Sequence, residues 1–494
     1  MSMYKITPFL SEIKTFFKNS DMTAAMQNIA SVLSLVRMTE RDTLAVTSKR
    51  NCVYQLLTVF QILLLFPCFG IKNAWRCHKD GMLEALVKAR KDVFYRFMEN
   101  PDIDWRKALW HISAQLWNRI HLRSDHKSED ACLILDDTDH KKTGRTIEKI
   151  GRVHSHLAHK AVLGFKCLCL AVTDGVSQIL LDFDIIGEKG KNGNYGMSAK
   201  ELGRRHKTEH DSEVLRQREK AYDMSKLELA KEMIKRAIRK GIKFSYVLAD
   251  SWFTNKDIVR FIHSRHVKCH WLGMIKVGEY GKTKYHTEHG DLSAPALVKL
   301  GKKLKLQKYS RKLKCNYIMY DAVFGGVSVR IFLVRRTKHG KWNGLLTTDT
   351  DLEFIKAWQI YSRRWALEVV FKDCKTNLGF GQCQSTCFAS QIAAATLCCL
   401  QYNILSVARR FSDYETIGGL FREVTRETVQ LSVAQQIWGI LQELVTAIAK
   451  VFGLLDEEIY DAVINRSEEM AHIVNFYNLK ISKLNLRNLN NLNI

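Results

Sequence analysis

Residues 132–139 read CLILDDTD, a short apolar run that closes on three acids, Asp136, Asp137 and Asp139. An apolar run of this length suits a strand buried on both faces, and here it delivers carboxylates to one end of a sheet. Two more strand-like runs follow, Ala161 to Val172 and Gln178 to Ile186, joined by the turn signal Asp174-Gly175. The polar, glycine-bearing stretch from Gly187 to Asp211 reads as a mobile loop. A helix is expected over Met224 to Lys240, ended by Gly241. Phe244 to Ala249 is a further compact strand that delivers Asp250, Asn255 to Arg265 reads as a helix, and His270 to Val277 as a fifth strand. The order is three strands, helix, strand, helix, strand, an α/β pattern.

Outward from this core, residues 1–125 read as helical. Apolar residues recur at helical spacing through Leu56 to Leu65, Leu83 to Phe97 and Trp105 to Ile120, with basic residues threaded between aromatics, as in Trp75-Arg76, Tyr95-Arg96 and Trp105-Arg106-Lys107. After Lys375, Ile392 to Val407 and Val429 to Phe452 are apolar at helical spacing, and the closing stretch from Leu484 is biased toward Asn and Leu.

The whole chain has 494 residues, enough for two or three domains, and 46% of them are hydrophobic, which excludes a disordered chain. A net charge of +25 points to a polyanionic partner. A membrane surface is not the expected partner. The opening MSMYKITPFLSEIKTFF is broken by charges, unlike a signal peptide, and the apolar Val53 to Phe69 carries Gln55, Gln61 and Pro67, which suits a buried helix. Thirteen scattered cysteines, some in apolar runs such as Cys167/Cys169 and Cys398/Cys399, read as reduced thiols of a cytoplasmic protein. His263, His266, Cys269 and His270, and likewise His154, His156 and His159, lack a second ligand pair at zinc spacing.

Further on, Tyr361 to Lys375 reads YSRRWALEVVFKDCK. On one continuous helix its Tyr361, Arg364, Glu368 and Lys375 would share a narrow stripe, with a carboxylate between two cations. Such charge patterns usually mark a solvated helix face, but Trp365, Leu367, Val369, Val370 and Phe371 leave little of this helix free for water. Tyr-x2-Arg-x3-Glu-x6-Lys resembles the signature of the IS-four family of bacterial insertion-sequence transposases at every position. The upstream Leu345 to Asp349, ending Thr-Thr-Asp, resembles that family too.

The resemblance implies an α/β fold: a ribonuclease-H-like catalytic core over 126–277 and 346–400, an inserted β-rich subdomain over 278–345, a helical DNA-binding domain over 1–125 and a helical C-terminal region over 401–494 that helps pair two subunits. It implies an Asp-Asp-Glu triad of Asp137, Asp250 and Glu368. Asp137 is preferred because Thr138 follows it, as in the family, and Asp136 is then a neighbour that orients it. Hard carboxylate oxygens select Mg2+, with Mn2+ as a substitute. Arg364 and Lys375 are expected to grip phosphates, Tyr361 to hydrogen-bond to one, and Trp342 to stack on a flipped base. Within the insertion, Lys299 to Lys314 holds eight lysines or arginines and no acid, which favours phosphate contact.

The expected function is a transposase that cleaves DNA at the ends of an insertion sequence and joins the 3′ ends to target DNA. Its partners would be end DNA with terminal inverted repeats, target DNA and, on DNA, a second copy of the chain, in the cytoplasm beside the nucleoid. The alternatives are a ribonuclease-H-like nuclease without strand transfer and a catalytically inactive, transposase-derived DNA-binding protein.

Overall fold

The computed structural model describes residues 35–66, 89–122 and 131–425 with Ile29, Val32 and Leu33, apart from 157, 206–210, 265, 266, 268, 279, 280, 412 and 413. The expectations for Trp75-Arg76, for 83–88 of Leu83 to Phe97, for Val429 to Phe452 and for the Asn/Leu-rich end lie outside the described residues. Two compact units emerge. The smaller draws its described residues from Met1–Arg37, Ser48–Phe97 and Ile404–Ile494, and the larger comprises Met38–Thr47 and Met98–Asn403.

In the smaller unit, helix α1 (Leu56–Leu65) is ten residues long, with Leu57 and Val59 through Leu65 buried. At 1.5 Å per residue it is about half the length needed to cross a bilayer. The start of helix α2 (Lys91–Glu99) packs Phe94 against Phe66, with ring centroids 5.3 Å apart.

The larger unit is mixed α/β, built on one twelve-stranded sheet. Its elements in order are helix α3 (Trp105–Leu122), strands β1 (Cys132–Lys141), β2 (Gly151–Ser155), β3 (Lys160–Thr173) and β4 (Gln178–Ile186), and helices α4 (Ala199–Gly203), α5 (Glu213–Tyr222) and α6 (Lys226–Arg239). Next come β5 (Tyr246–Ala249), α7 (Lys256–His263) and β6 (His270–Ile275). The apolar runs Cys132 to Leu135 and Val247 to Ala249 are wholly buried, as central strands require. β4, β3 and β1 run antiparallel in that order, and β1, β5 and β6 are parallel. This is the ribonuclease-H-like arrangement, in which the first and fourth strands of the sequence reading lie side by side. α6 shows why a helix forms here: Ser225 and Glu228 close a capping box, and Leu229, Ala230, Met233, Ile234 and Ala237 form one buried face.

Three elements depart from the sequence reading. α4 lies inside the stretch read as a mobile loop, where Ser198 and Glu201 close a capping box. β2 is an added hairpin strand on the outer part of β3, and its half-polar GRVHS carries little strand signal. α5 is so polar that its buried face is only Leu215, Arg218, Ala221 and Tyr222.

The insertion is rich in strands, with β7 (Lys284–Thr287), β8 (Gly290–Ser293), helix α8 (Ala294–Lys303), β9 (Lys308–Ser310), β10 (Cys315–Phe324) and β11 (Val327–Arg335). Among the described residues it forms no separate sheet. β12 (Asn343–Thr347) pairs antiparallel with both β11 and β6, so the insertion extends the central sheet. The chain then forms α9 (Phe354–Ser362), α10 (Trp365–Asn377) and α11 (Phe388–Arg410).

Across β4, Asp182 and Asp184 share one face and anchor three helices. Asp182 meets Arg106 of α3 at 3.2 Å and Arg236 of α6 at 2.6 Å, and Asp184 meets Arg218 of α5 at 3.2 Å and also Arg106.

Candidate active site

The site forms where β5 ends against the middle of β1. Leu135 pairs with Ala249 in parallel register, so Asp250, the first residue past β5, leaves the sheet beside Asp136, which continues within β1 paired with Cys169 of β3. Successive side chains on a strand point to opposite faces, and this splits the acidic cluster. Asp136 and Thr138 face α10, whereas Asp137 and Asp139 face the opposite side.

On the α10 side, the Asp136 carboxylate accepts from Arg364 Nη1 at 2.9 Å and from the Asp137 amide at 2.9 Å. Burial pushes its carboxyl up to about 7; Arg364 pulls it back, and the Asp250 charge adds to the rise. Arg364 Nη2 donates to Glu368 Oε1 at 2.6 Å, so one guanidinium bridges Asp136 and Glu368. Lys375 Nζ donates to Thr138 Oγ1 at 2.6 Å, and burial lowers the pKa of that ammonium while Asp139 opposes the shift.

On the other side, Asp137 is paired with Lys226 at 3.2 Å and Lys166 at 3.4 Å, and Lys166 also holds Asp139 at 2.7 Å. The preferred first acid of the sequence reading therefore faces away from Arg364 and Glu368, and its neighbour Asp136 faces them. The cause is strand alternation, which a choice by the following threonine does not register.

The stripe from Tyr361 to Lys375 is not one helix. Between α9 and α10 the amides of Arg363, Arg364, Ala366 and Leu367 all bond to carbonyls three residues back, which tightens the chain at the junction. Arg364 stands at this junction, with its guanidinium 5.8 Å from the Tyr361 ring centroid. Tyr361 is buried, its hydroxyl donates to the Ala249 carbonyl at 3.4 Å, and burial pushes its phenol well above the ordinary range. Here its hydroxyl props the end of β5.

Asp250 opens a turn in which its Oδ1 accepts from the Trp252 amide at 2.8 Å. Trp342 precedes β12, with the cations of Arg335 and Lys302 at 5.0 and 5.9 Å from its ring centroid. Its neighbours thus belong to the insertion, apart from the Asp136 cluster. In the basic run, Leu304, Leu306 and Tyr309 are exposed among the lysines. Lys166, Lys226 and Trp252 were missed in the sequence. Only Lys166 carried a signal, as a lone cation inside an apolar strand.

Among the described residues, no three Asp, Glu, His or Cys side chains stand close enough together to hold a metal ion. The donor set nevertheless suits a hard divalent cation. Asp136, Asp250 and Glu368 offer carboxylate oxygens alone, and the raised Asp136 carboxyl marks a buried site short of positive charge. Withdrawal of the Arg364 guanidinium would release both Asp136 and Glu368.

Residues 80–276 match the family described as DDE superfamily endonuclease, a span that includes Asp136, Asp137 and Asp250 and stops before Glu368. No curated protein matches the chain. A solved structure of a piggyBac transposase synaptic complex with hairpin DNA is similar over 87% of this chain and 79% of that one, with 10% sequence identity and a TM-score of 0.42. Over less than half its length, the chain is thus similar to a family of endonucleases.

Proposed function

We propose that this protein is a DNA transposase of the Asp-Asp-Glu type, acting as a pair of subunits on terminal inverted repeats and target DNA in the cytoplasm of a bacterium. The observation that carries this reading is the emergence of Asp136 and Asp250 from adjacent parallel strands, with Glu368 tied to Asp136 through Arg364. The first acid of the triad is Asp136 in place of Asp137. Asp250 and Glu368 keep their assigned roles as catalytic and metal-holding groups.

Asp136, Asp250 and Glu368 would hold Mg2+, or Mn2+ in its place. The bound ions supply Lewis acidity to the attacking and leaving oxygens of a phosphodiester. Arg364 exchanges its two carboxylates for a phosphate flanking the scissile bond, as a planar guanidinium does readily. Lys375 adds a second positive charge, fixed by Thr138. Tyr361 positions Asp250 by bracing the Ala249 carbonyl. Attack of water on the phosphorus at each end would expel the 3′ oxygen as a hydroxyl, and that hydroxyl would then attack a target phosphodiester in line, forming the new 3′–5′ phosphodiester and releasing the target's own 3′ oxygen as a hydroxyl.

A second reading, a DNA-binding protein that has lost its chemistry, draws on the same Arg364 bridge as a permanent lock. Cleavage of DNA carrying the element's own ends, with Mg2+, separates the two. Wild type should cut, Glu368→Gln and Asp136→Asn should not cut while still binding the ends, and Asp137→Asn should retain cutting. Pre-cut ends should be joined to a target, which a simple nuclease would not do. Normal cutting by Glu368→Gln would overturn the site assignment.

A further inference from the structure

The turn that follows Asp250 carries a group that the chemistry above does not use. Phe253 is wholly buried, yet Trp252, whose ring stands edge-on to it at 5.1 Å, is 42% exposed. Lys226 Nζ lies 4.2 Å from the Trp252 ring centroid. Lys226 is itself held by Asp137, whose second oxygen meets the buried Lys166. A row of Lys166, Asp137 and Lys226 thus ends on an indole that is partly open to solvent.

An indole left in water forgoes hydrophobic burial, and a cation over one face restrains its rotation. The amide of the same residue is fixed on Asp250, one of the proposed metal-holding acids. We propose that Trp252 is a stacking platform for an unpaired nucleobase beside the scissile phosphate, with Lys226 and Asp137 as the positioning residues that hold it. The proposal rests on the transposase reading for the location of the phosphate. A nucleobase is the fitting occupant because every base offers a π-face, and the +25 charge of the chain draws the backbone that carries it. Stacking was expected of Trp342, but that ring is flanked by Arg335 and Lys302 of the insertion, whereas Trp252 lies two residues from Asp250. Asp137 gains a purpose from this arrangement, since it orients Lys226 on the face of the sheet away from Arg364.

The test uses a duplex with a single-stranded 3′ tail containing 2-aminopurine, bound in EDTA so that nothing is cut. Wild type and Trp252→Phe should quench the probe. Trp252→Ala should lose the quenching and bind the tail roughly 5- to 100-fold more weakly, with blunt-duplex affinity unchanged. Lys226→Gln should reduce the quenching without abolishing it. Independently of any substitution, a 5-iodouracil tail irradiated on the wild-type protein should crosslink to Trp252. Undiminished quenching by Trp252→Ala, or a crosslink to another aromatic residue, would overturn the proposal. Quenching through Trp252 by a protein that never cuts DNA would sink the transposase reading and leave the platform standing.

Discussion

Replacing Asp136 with asparagine should silence the protein and, at alkaline pH, make it more stable. Burial pushes this carboxyl from its ordinary 3.8 up to about 7. Between those two values the folded protein holds a proton that the unfolded chain has released. Stability from this group is therefore complete below about 3.8, falls as pH rises, and is gone above 7. Each pH unit in that window removes about 1.4 kcal/mol, so from pH 5 to pH 8 wild type should lose about 3 kcal/mol that the variant does not. Asparagine keeps the shape of the neutral acid and cannot ionise. Urea titrations followed by tryptophan fluorescence at both pH values give the difference directly. The Asp137→Asn variant is the control: it strips one carboxylate from the buried Lys166 and the partner from Lys226, and should destabilise by about 1–3 kcal/mol at either pH. A gap between Asp136→Asn and wild type that stays constant from pH 5 to pH 8 would refute the buried, anion-crowded site from which the argument starts.

The same carboxyl sets the pH dependence of cutting. Asp136 must lose its proton to hold a cation, so at subsaturating Mg2+ the cleavage rate should rise with pH up to about 7 and then level off, and the Mg2+ concentration needed for half-maximal rate should fall over the same range; an Mg2+ requirement that does not change from pH 5 to pH 8 would exclude Asp136 as a ligand. Lys375→Met removes the 2.6 Å bond to Thr138 and the charge behind it, and should slow single-turnover cutting by about 10- to 100-fold while end affinity, read by gel shift, changes by less than about threefold. Asp182→Asn leaves Arg106 and Arg236 short of a wholly buried carboxylate, and should cost about 3–5 kcal/mol of stability in a urea titration, with little response to added salt.

The five core strands were legible because apolar runs such as Cys132 to Leu135 and Val247 to Ala249 are short, bounded and buried. The resemblance to a ribonuclease-H-like core then implied β1 beside β5. β2 and α5 escaped because a half-polar hairpin strand and a helix with one arginine in its buried face carry weak periodicity. For the candidate site, the apolar run already put acids in β1 beside Asp250, but which of Asp136 and Asp137 meets Arg364 depends on the face of the sheet from which Arg364 arrives. The α9–α10 junction was hidden because bonding three residues back leaves no mark on residue spacing. Lys226 and Trp252 lie 26 positions apart in sequence, and only the packing of α6 near the end of β5 joins them.

The pairing of β12 with both β6 and β11 has a mechanical corollary. The basic run enters the sheet through β9, and the pairing β9–β10–β11–β12–β6–β5 links it by hydrogen bonds to the strand that ends at Asp250. Were the lysines to hold a nucleic-acid backbone, as the proposed function would have it, the sheet would set its interval from Asp250 and act as a ruler. The cut position would then be measured in nucleotides from the grip, and lengthening that sheet would move the scar.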